Sequence, residues 1–469
     1  MISARILPLL LVAWLLPAPS APAAITVTGE AVWQGVVQLP EGAIVPAGSS
    51  LRLLPGTRIN LGGEGIRIEG TLTVAGTAAS PVVIDAGDPV AGGEANALPV
   101  ILSIVSKEKQ GLIEHLRLLG DGDGMVVNGS VVHLKNVTVK ASGDAVRVEN
   151  DGRADGSDLD LWGYRRGLAI VLRSSALLAR VRVSGPKNGI DVVTGGSLGL
   201  TGGTIRSGET GVWMQQMERG FLDGVEFLNC RTGLSAHSVG PKVILKNLRF
   251  VGCGDGIYLN AFSVPTIEWC LFSGGTRGIV VANYSAPLIG NSTLAGNATG
   301  IFINQKSTPV ISACCLQGNA VGVEADFSSY PRINFNSFSE NRVALRLGET
   351  QSADWERRHG SWNLTKGQAI GSGSKRITKE NTEGRRAETL PVPQNNFLDG
   401  WVDVRWNWWG EADTAVILSR GANVNLPMVD DGHDRPSVAY EGYPGRYRLD
   451  RFELWPVLEE PWEGTPPCP

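Results

Sequence analysis

Apolar residues recur along this chain at an interval of about 22 residues. One slot in the repeat holds a small residue that opens an apolar–variable–apolar triplet. Glycine fills it at Gly124, Gly167, Gly189, Gly211, Gly233, Gly256, Gly278, Gly300 and Gly322, and Ala145 and Ala344 complete the series. Neighbouring slots are 21, 22 or 23 residues apart. The triplets read Ile257-Tyr258-Leu259, Ile279-Val280-Val281, Ile301-Phe302-Ile303 and Leu345-Arg346-Leu347. Such alternation sends the first and third side chains to one face and the middle one to the other, which is strand periodicity. A second apolar ladder lies six residues before the slot: Leu118, Val139, Leu161, Val183, Ile205, Phe227, Phe250, Phe272, Leu294, Leu316 and Phe338. Pro265, Pro287, Pro309 and Pro331 are each followed two residues later by isoleucine. Proline there suits a strand start, where no ladder donor is required.

A fixed period of this size predicts a stacked solenoid. Each unit reads as three short strands and three turns. Helical solenoids need units of about 33 to 47 residues with helix periodicity, and the leucine-rich spacing L-x-x-L-x-L-x-x-N does not fit either. The pattern predicts an all-β fold, a right-handed parallel β-helix with about 22 residues per coil. Eleven regular coils span residues 111–348, a rod on the order of 50 Å long at the spacing of paired strands. Sixty glycines in 469 residues suit a fold with many turns, and they show no collagen period. The formal charge is −4 with signs interspersed, which argues against a nucleic-acid partner.

The ends differ from the middle. Arg5, the apolar run Ile6 to Leu16 and Ala21-Pro22-Ala23 read as a secretory signal over residues 1–23, cleaved to give a secreted or periplasmic protein. No other run reaches 18 apolar residues, so no transmembrane segment is expected. Residues 24–110 read as an N-terminal cap with irregular first coils. Residues 349–393 break the period with a polar, basic excursion carrying Arg357, Arg358, Lys366, Lys375, Arg376, Lys379, Arg385 and Arg386. Residues 394–469 form a last coil, a turn and a tail.

That last block carries a resemblance. Asn407-Trp408-Trp409-Gly410, the acidic stretch with Asp430, Asp431 and Asp434, and the segment Phe452 to Pro461 are similar to the terminal part of secreted bacterial right-handed parallel β-helix repeat proteins of the pectin-lyase-like type. Residues 42–59 also resemble the opening of that family. The resemblance implies the fold and says little about activity, since this architecture carries lyases, hydrolases, epimerases, adhesins and passive binders. The N-T-D, G-H-G and R-I-K marks of the pectin hydrolases are missing, as are the W-I-D-H and R-x-P-x-x-R marks of the pectate lyases. In its repeats the chain also resembles the periplasmic β-helix protein that helps load copper into nitrous oxide reductase. Copper delivery favours clustered Met, His or Cys ligands. Here His115, His133, His237, His359 and His433 are scattered, so no cofactor is expected from the sequence.

Candidate chemistry concentrates on the outward face of the strand after the glycine slot. One column there reads Val126, Arg147, Ala169, Asp191, Trp213, Ser235, Tyr258, Val280, Phe302, Glu324, Arg346. The column two residues further on includes Gln215, His237, Asn260, Asn304 and Asp326. Aromatic rings on alternate coils beside amides suit sugar rings and their hydroxyls. The sequence therefore points to a polysaccharide or cell-envelope component bound by Trp213, Tyr258, Phe302, Gln215, Asn260 and Asn304 without catalysis. The alternative is a polysaccharide lyase, hydrolase or epimerase, with His237, Glu324 and Asp326 as its titratable candidates. Asp430, Asp431 and Asp434 supply oxygen ligands suited to a hard cation, but lack the spacing of a defined calcium loop. Cys270 and Cys314 share an inward slot two coils apart, with Ser292 between them. Cys230 and Cys253 sit in one slot of successive coils, within disulfide reach, although in-register β-carbons point in parallel. The sequence leaves that bond open.

Overall fold

The computed structural model describes residues 24–88, 98–359 and 399–468. The chain forms a parallel β-helix of about 14 turns. Each coil contributes one strand to a 16-stranded sheet that runs from Ile25–Thr26 to Val429–Asp430. Its remaining strands enter a second, 25-stranded sheet that wraps the other sides. Pairing starts at Ile25, within the segment read as a cap with irregular first coils. The signal segment and residues 360–393 of the basic excursion lie outside the described residues. The described start of that excursion carries the helix Ala353–His359.

The core is made of columns of like side chains. Met125, Val146, Leu168, Ile190, Val212 and Leu234 pair coil to coil and are almost fully buried. The ladder before the glycine slot stacks ring on ring. Phe227 and Phe250 lie 4.6 Å apart and Phe250 and Phe272 4.8 Å apart, nearly parallel in both pairs. Pairs of this kind contribute roughly 0.5–1.5 kcal/mol beyond their buried area. These rings explain the glycine slot. A Cβ on Gly256 would lie 2.4 Å from the Gly278 carbonyl and 2.6 Å from the Phe272 ring.

Corners are turned by residues in the left-handed region, singly or in adjacent pairs such as Asn283 and Tyr284. One corner uses His115, Asn136, Asp158, Arg180, Gly202, Gly224, Asn247, Trp269, Asn291, Ala313, Phe335 and Trp406, with φ between 49° and 68°. Such a conformation costs a non-glycine residue about 1–2 kcal/mol. Stacking imposes it, because the amide at the corner is tied to a carbonyl of the next coil, as Trp269 N is to Gly290 O at 3.3 Å. The prolines behave as expected. The strands Thr266–Glu268, Leu288–Gly290, Val310–Ser312 and Arg332–Asn334 each begin directly after one.

Inside the other turns, side-chain ladders satisfy the buried backbone. Asn297 N donates to Asn319 Oδ1 at 2.9 Å and Asn319 N to Asn341 Oδ1 at 3.0 Å. A second ladder runs from Cys270 N to Ser292 Oγ, and from Cys314 N to Asn336 Oδ1. It ends at Asn407, whose Oδ1 accepts Asn336 N at 2.8 Å while its Nδ2 donates to Ile333 O and Val404 O. Two residues on, Trp409 stacks on Phe338 at 4.9 Å and closes the ring column. The Asn-Trp-Trp-Gly turn is thus the cover of the solenoid's open end. From there the tail runs back along the corner. Trp462 packs on Phe335, Asn291 Nδ2 donates to Gly464 O, and Cys468 is disulfide-bonded to Cys315. Cys230, Cys253, Cys270 and Cys314 are free and buried, which settles the open question of the Cys230–Cys253 bond. In-register backbones hold equivalent residues about 4.8 Å apart, wider than the β-carbon separation of about 3.8 Å that a disulfide prefers.

Two outcomes follow for stability. Asn319→Ala strands the Asn297 amide and the Leu294 carbonyl in the interior, where each lost partner costs about 1–3 kcal/mol. Urea unfolding is expected to show a loss of about 2 kcal/mol or more, against less than about 0.5 kcal/mol for an exposed control such as Lys242→Ala. Asp450 takes hydrogen bonds from Tyr330 Oη, Gln351 Nε2 and Ala353 N, yet burial outweighs them and pushes its carboxyl up to about 6. An acid raised on folding stabilises the protein while protonated. That contribution is complete below the ordinary value of 3.8 and is lost as pH rises through about 6. Unfolding measured from pH 3.5 to 7 is expected to show this fall, on the order of 3 kcal/mol at most, and Asp450→Asn is expected to flatten it.

Candidate functional site

The outward face of the 16-stranded sheet brings the expected column together in register. Asp191 pairs with Trp213, Trp213 with Ser235, Ser235 with Tyr258, Tyr258 with Val280, and Val280 with Phe302. The column continues through Glu324 and Arg346 to Asp430. Trp213, Tyr258 and Phe302 are half-buried, and the small residues between them, Ser235 and Val280, are covered. The three rings therefore repeat every second coil, about 9.6 Å apart at the strand spacing. The imidazole of His237 stacks beside Trp213 at 6.5 Å, and the Arg277 guanidinium lies 5.8 Å from the centre of Phe302. Gln215, His237 and Asn260 form the neighbouring column in register. Asn260 Oδ1 accepts the amide of Ala261, whereas the buried Oδ1 of Asn304 has no protein partner.

Of the titratable candidates, Glu324 and Asp326 stand near one another and His237 stands apart from both. His237 and Asp326 occupy one column four coils apart, roughly 19 Å at the strand spacing. Asp326 Oδ1 is engaged by Thr350 N, Thr350 Oγ1 and Phe327 N at 2.9, 2.6 and 2.7 Å. Glu324 lies 3.7 Å from Arg346, which in turn lies 3.4 Å from Asp430. Burial pushes the Glu324 carboxyl above the usual range, and the Arg346 guanidinium opposes that rise. Arg435 completes this chain of alternating charges at 3.0 Å from Asp430. Asp431 accepts His433 N and Phe452 N, and Asp434 accepts Asp431 N. These carboxylates cap their own turn. Among the described residues no group of three or more His, Cys, Asp or Glu side chains is placed to hold a metal ion.

One feature was not singled out in the sequence. A network of ion pairs lies at the N-terminal end of the face. Asp144, fully buried, is held by Arg166 at 2.8 and 2.7 Å, and Asp123 by Arg147 and Arg165 at 2.6 Å each. Arg166 also lies 3.6 Å from Asp191, whose carboxyl burial pushes up. The partners are 21 to 42 residues apart, and only the 22-residue register reveals them. The thiols Cys230 and Cys253, which the sequence placed in one slot, are adjacent in successive coils. The Cys253 side chain holds the Cys230 thiol below its ordinary range, while Cys253 itself is raised.

With the rod and its face in place, relatives can be compared. No curated protein matches the chain significantly. Among solved structures, an alginate lyase from Paenibacillus sp. str. FPU-7 is similar over 62% of this chain and 91% of its own, at 14% identity and a TM-score of 0.19. Nothing about activity is drawn from a likeness at that level. Among the described residues no helix is long and apolar enough to cross a membrane. The family described as periplasmic copper-binding protein (NosD) matches residues 125–373, more than half of the chain, so the protein belongs to that family.

Proposed function

We propose that this protein is an exported, non-catalytic scaffold of the cell envelope that binds an extended polysaccharide along the outer face of its 16-stranded sheet. The observation that carries this reading is the in-register alternation of Trp213, Tyr258 and Phe302 with small covered residues. A ring spacing of about 9.6 Å is roughly two sugar units along an extended chain, so stacking on successive aromatics stays in step with the rod. Gln215, half-buried on the neighbouring column, supplies hydrogen bonds to hydroxyls. The acids on the face carry their own counter-charges: Asp191 has Arg166, and Glu324 has Arg346. The signal segment read in residues 1–23 and the periplasmic description of the family support export. Catalysis is disfavoured because the neighbouring carboxylates are already engaged, Glu324 by Arg346 and Asp326 by Thr350.

The family's description also names copper. Among the described residues the groups that suit a soft ion are the adjacent thiols Cys230 and Cys253, which lie at a turn rather than on the aromatic face.

A glycan array followed by titration calorimetry tests the scaffold reading. Binding is expected without new reducing ends or unsaturated products. The double substitution Trp213→Ala, Tyr258→Ala is expected to weaken it by roughly tenfold or more, about 1.4 kcal/mol, with the β signal in circular dichroism retained. Undiminished binding by that variant would place the ligand elsewhere. Turnover lost on Glu324→Gln or Asp326→Asn would establish the enzyme instead.

A further inference from the structure

Among the described residues the exposed tryptophans are Trp269, Trp406, Trp455 and Trp462. A rod that buries its stacked phenylalanines almost completely leaves these four indoles in water, and an exposed apolar line of that kind calls for an explanation. All four lie along one corner, which joins strands of the 25-stranded sheet. Trp269 and Trp406 are themselves left-handed corner residues. The coils between them carry Asn291, Ala313 and Phe335 at the same corner. Beyond them, Trp406 N donates to Pro456 O, which brings the turn at Trp455 to the next coil. From Trp269 to Trp406 is four coils, about 19 Å at the strand spacing.

The C-terminal tail fills the middle of this line. Trp462 packs on Phe335 with ring centres 4.8 Å apart, and Asn291 Nδ2 donates to Gly464 O at 2.9 Å. The disulfide from Cys468 to Cys315, two residues after Ala313, pins the end of the tail. Charge and layout then separate the partners that exposed indoles serve. Bilayer anchors combine tryptophan with lysine and arginine. From Phe452 to Pro469 this chain has Glu453, Glu459, Glu460 and Glu463 and no lysine or arginine. Arg405, beside Trp406, is paired with Asp403 and Glu453. The same balance turns away anionic polymers. Protein interfaces gather their aromatic anchors at the centre of a compact patch. These indoles are strung along a line with the tail's polar backbone between them. A line about 19 Å long matches about four units of an extended sugar chain, whose rings suit aromatic faces.

We propose that this corner is a second binding site, for a neutral polysaccharide, and that the disulfide-bonded tail holds its central ring, Trp462, in line with Trp269 and Trp406. The site is separate from the 16-stranded sheet and does not depend on that face binding anything, so each is tested by its own variant.

The test uses the oxidised full chain carrying Trp213→Ala and Tyr258→Ala, which removes the other face, titrated calorimetrically with neutral hexasaccharides of glucose, mannose and N-acetylglucosamine. At least one is expected to bind. Adding Trp269→Asn and Trp462→Ala is expected to weaken that binding at least about tenfold, with the β signal in circular dichroism retained. Asparagine preserves the corner, since Asn247 and Asn291 hold the same place in the adjacent coils. Cys468→Ser frees the tail without removing a ring and is expected to weaken binding as well. An oligogalacturonate and vesicles of phosphatidylethanolamine and phosphatidylglycerol are expected not to bind. Failure of every neutral hexasaccharide to bind, undiminished binding by the Trp269→Asn, Trp462→Ala variant or by Cys468→Ser, or capture of the parent by the anionic oligomer or the vesicles through these tryptophans would each overturn the proposal.

Discussion

The structure depends on one constraint: every coil must bond, amide to carbonyl, to the coil before and after it at a single register. Parallel strands gain their hydrogen bonds only from neighbours, so no coil is stable alone and each turn has to repeat its shape to keep the next in step. Register then forces like onto like. Phenylalanine stacks on phenylalanine from Phe227 to Phe272, and asparagine bonds to asparagine from Asn297 to Asn341. It also forces residues such as Trp269 and Ala313 into a left-handed corner that neither would adopt by itself.

The same constraint governs what the surface can do. Side chains that share a column stand about 4.8 Å apart along the rod, and chemistry needing convergence from several directions is hard to build on one face. That is why His237, Glu324 and Asp326 form no constellation, although all three face outward. Periodic ligands are favoured instead. An extended chain can follow rings set every second coil.

Much of this was legible in the sequence. The glycine slot, the apolar ladders and the post-proline strands report local packing that recurs every 22 residues, and the outward columns follow by counting. What was hidden depends on contacts between segments remote in sequence. Asn336 meets Asn407 across the basic excursion, and Cys315 meets Cys468 from the far end of the tail. The early start of the stack at Ile25 was masked by uneven coil lengths, since Ala43 pairs with Ile66 but Ile66 only with Leu102. Asn136, Asp158, Gly202, Gly224, Asn247 and Asn291 suit the left-handed corner, but His115, Arg180, Trp269, Ala313, Phe335 and Trp406 carry no such propensity, because stacking rather than intrinsic preference holds them.

Amide hydrogen exchange on the intact protein tests the register most directly. If the turn ladders close as described, the amides of Asn297, Cys314 and Asn336 exchange in the slowest class, together with the central strands, although all three lie in turns. Exchange of these three amides as fast as that of exposed loop residues would contradict in-register stacking, and with it the columns on which the aromatic face rests.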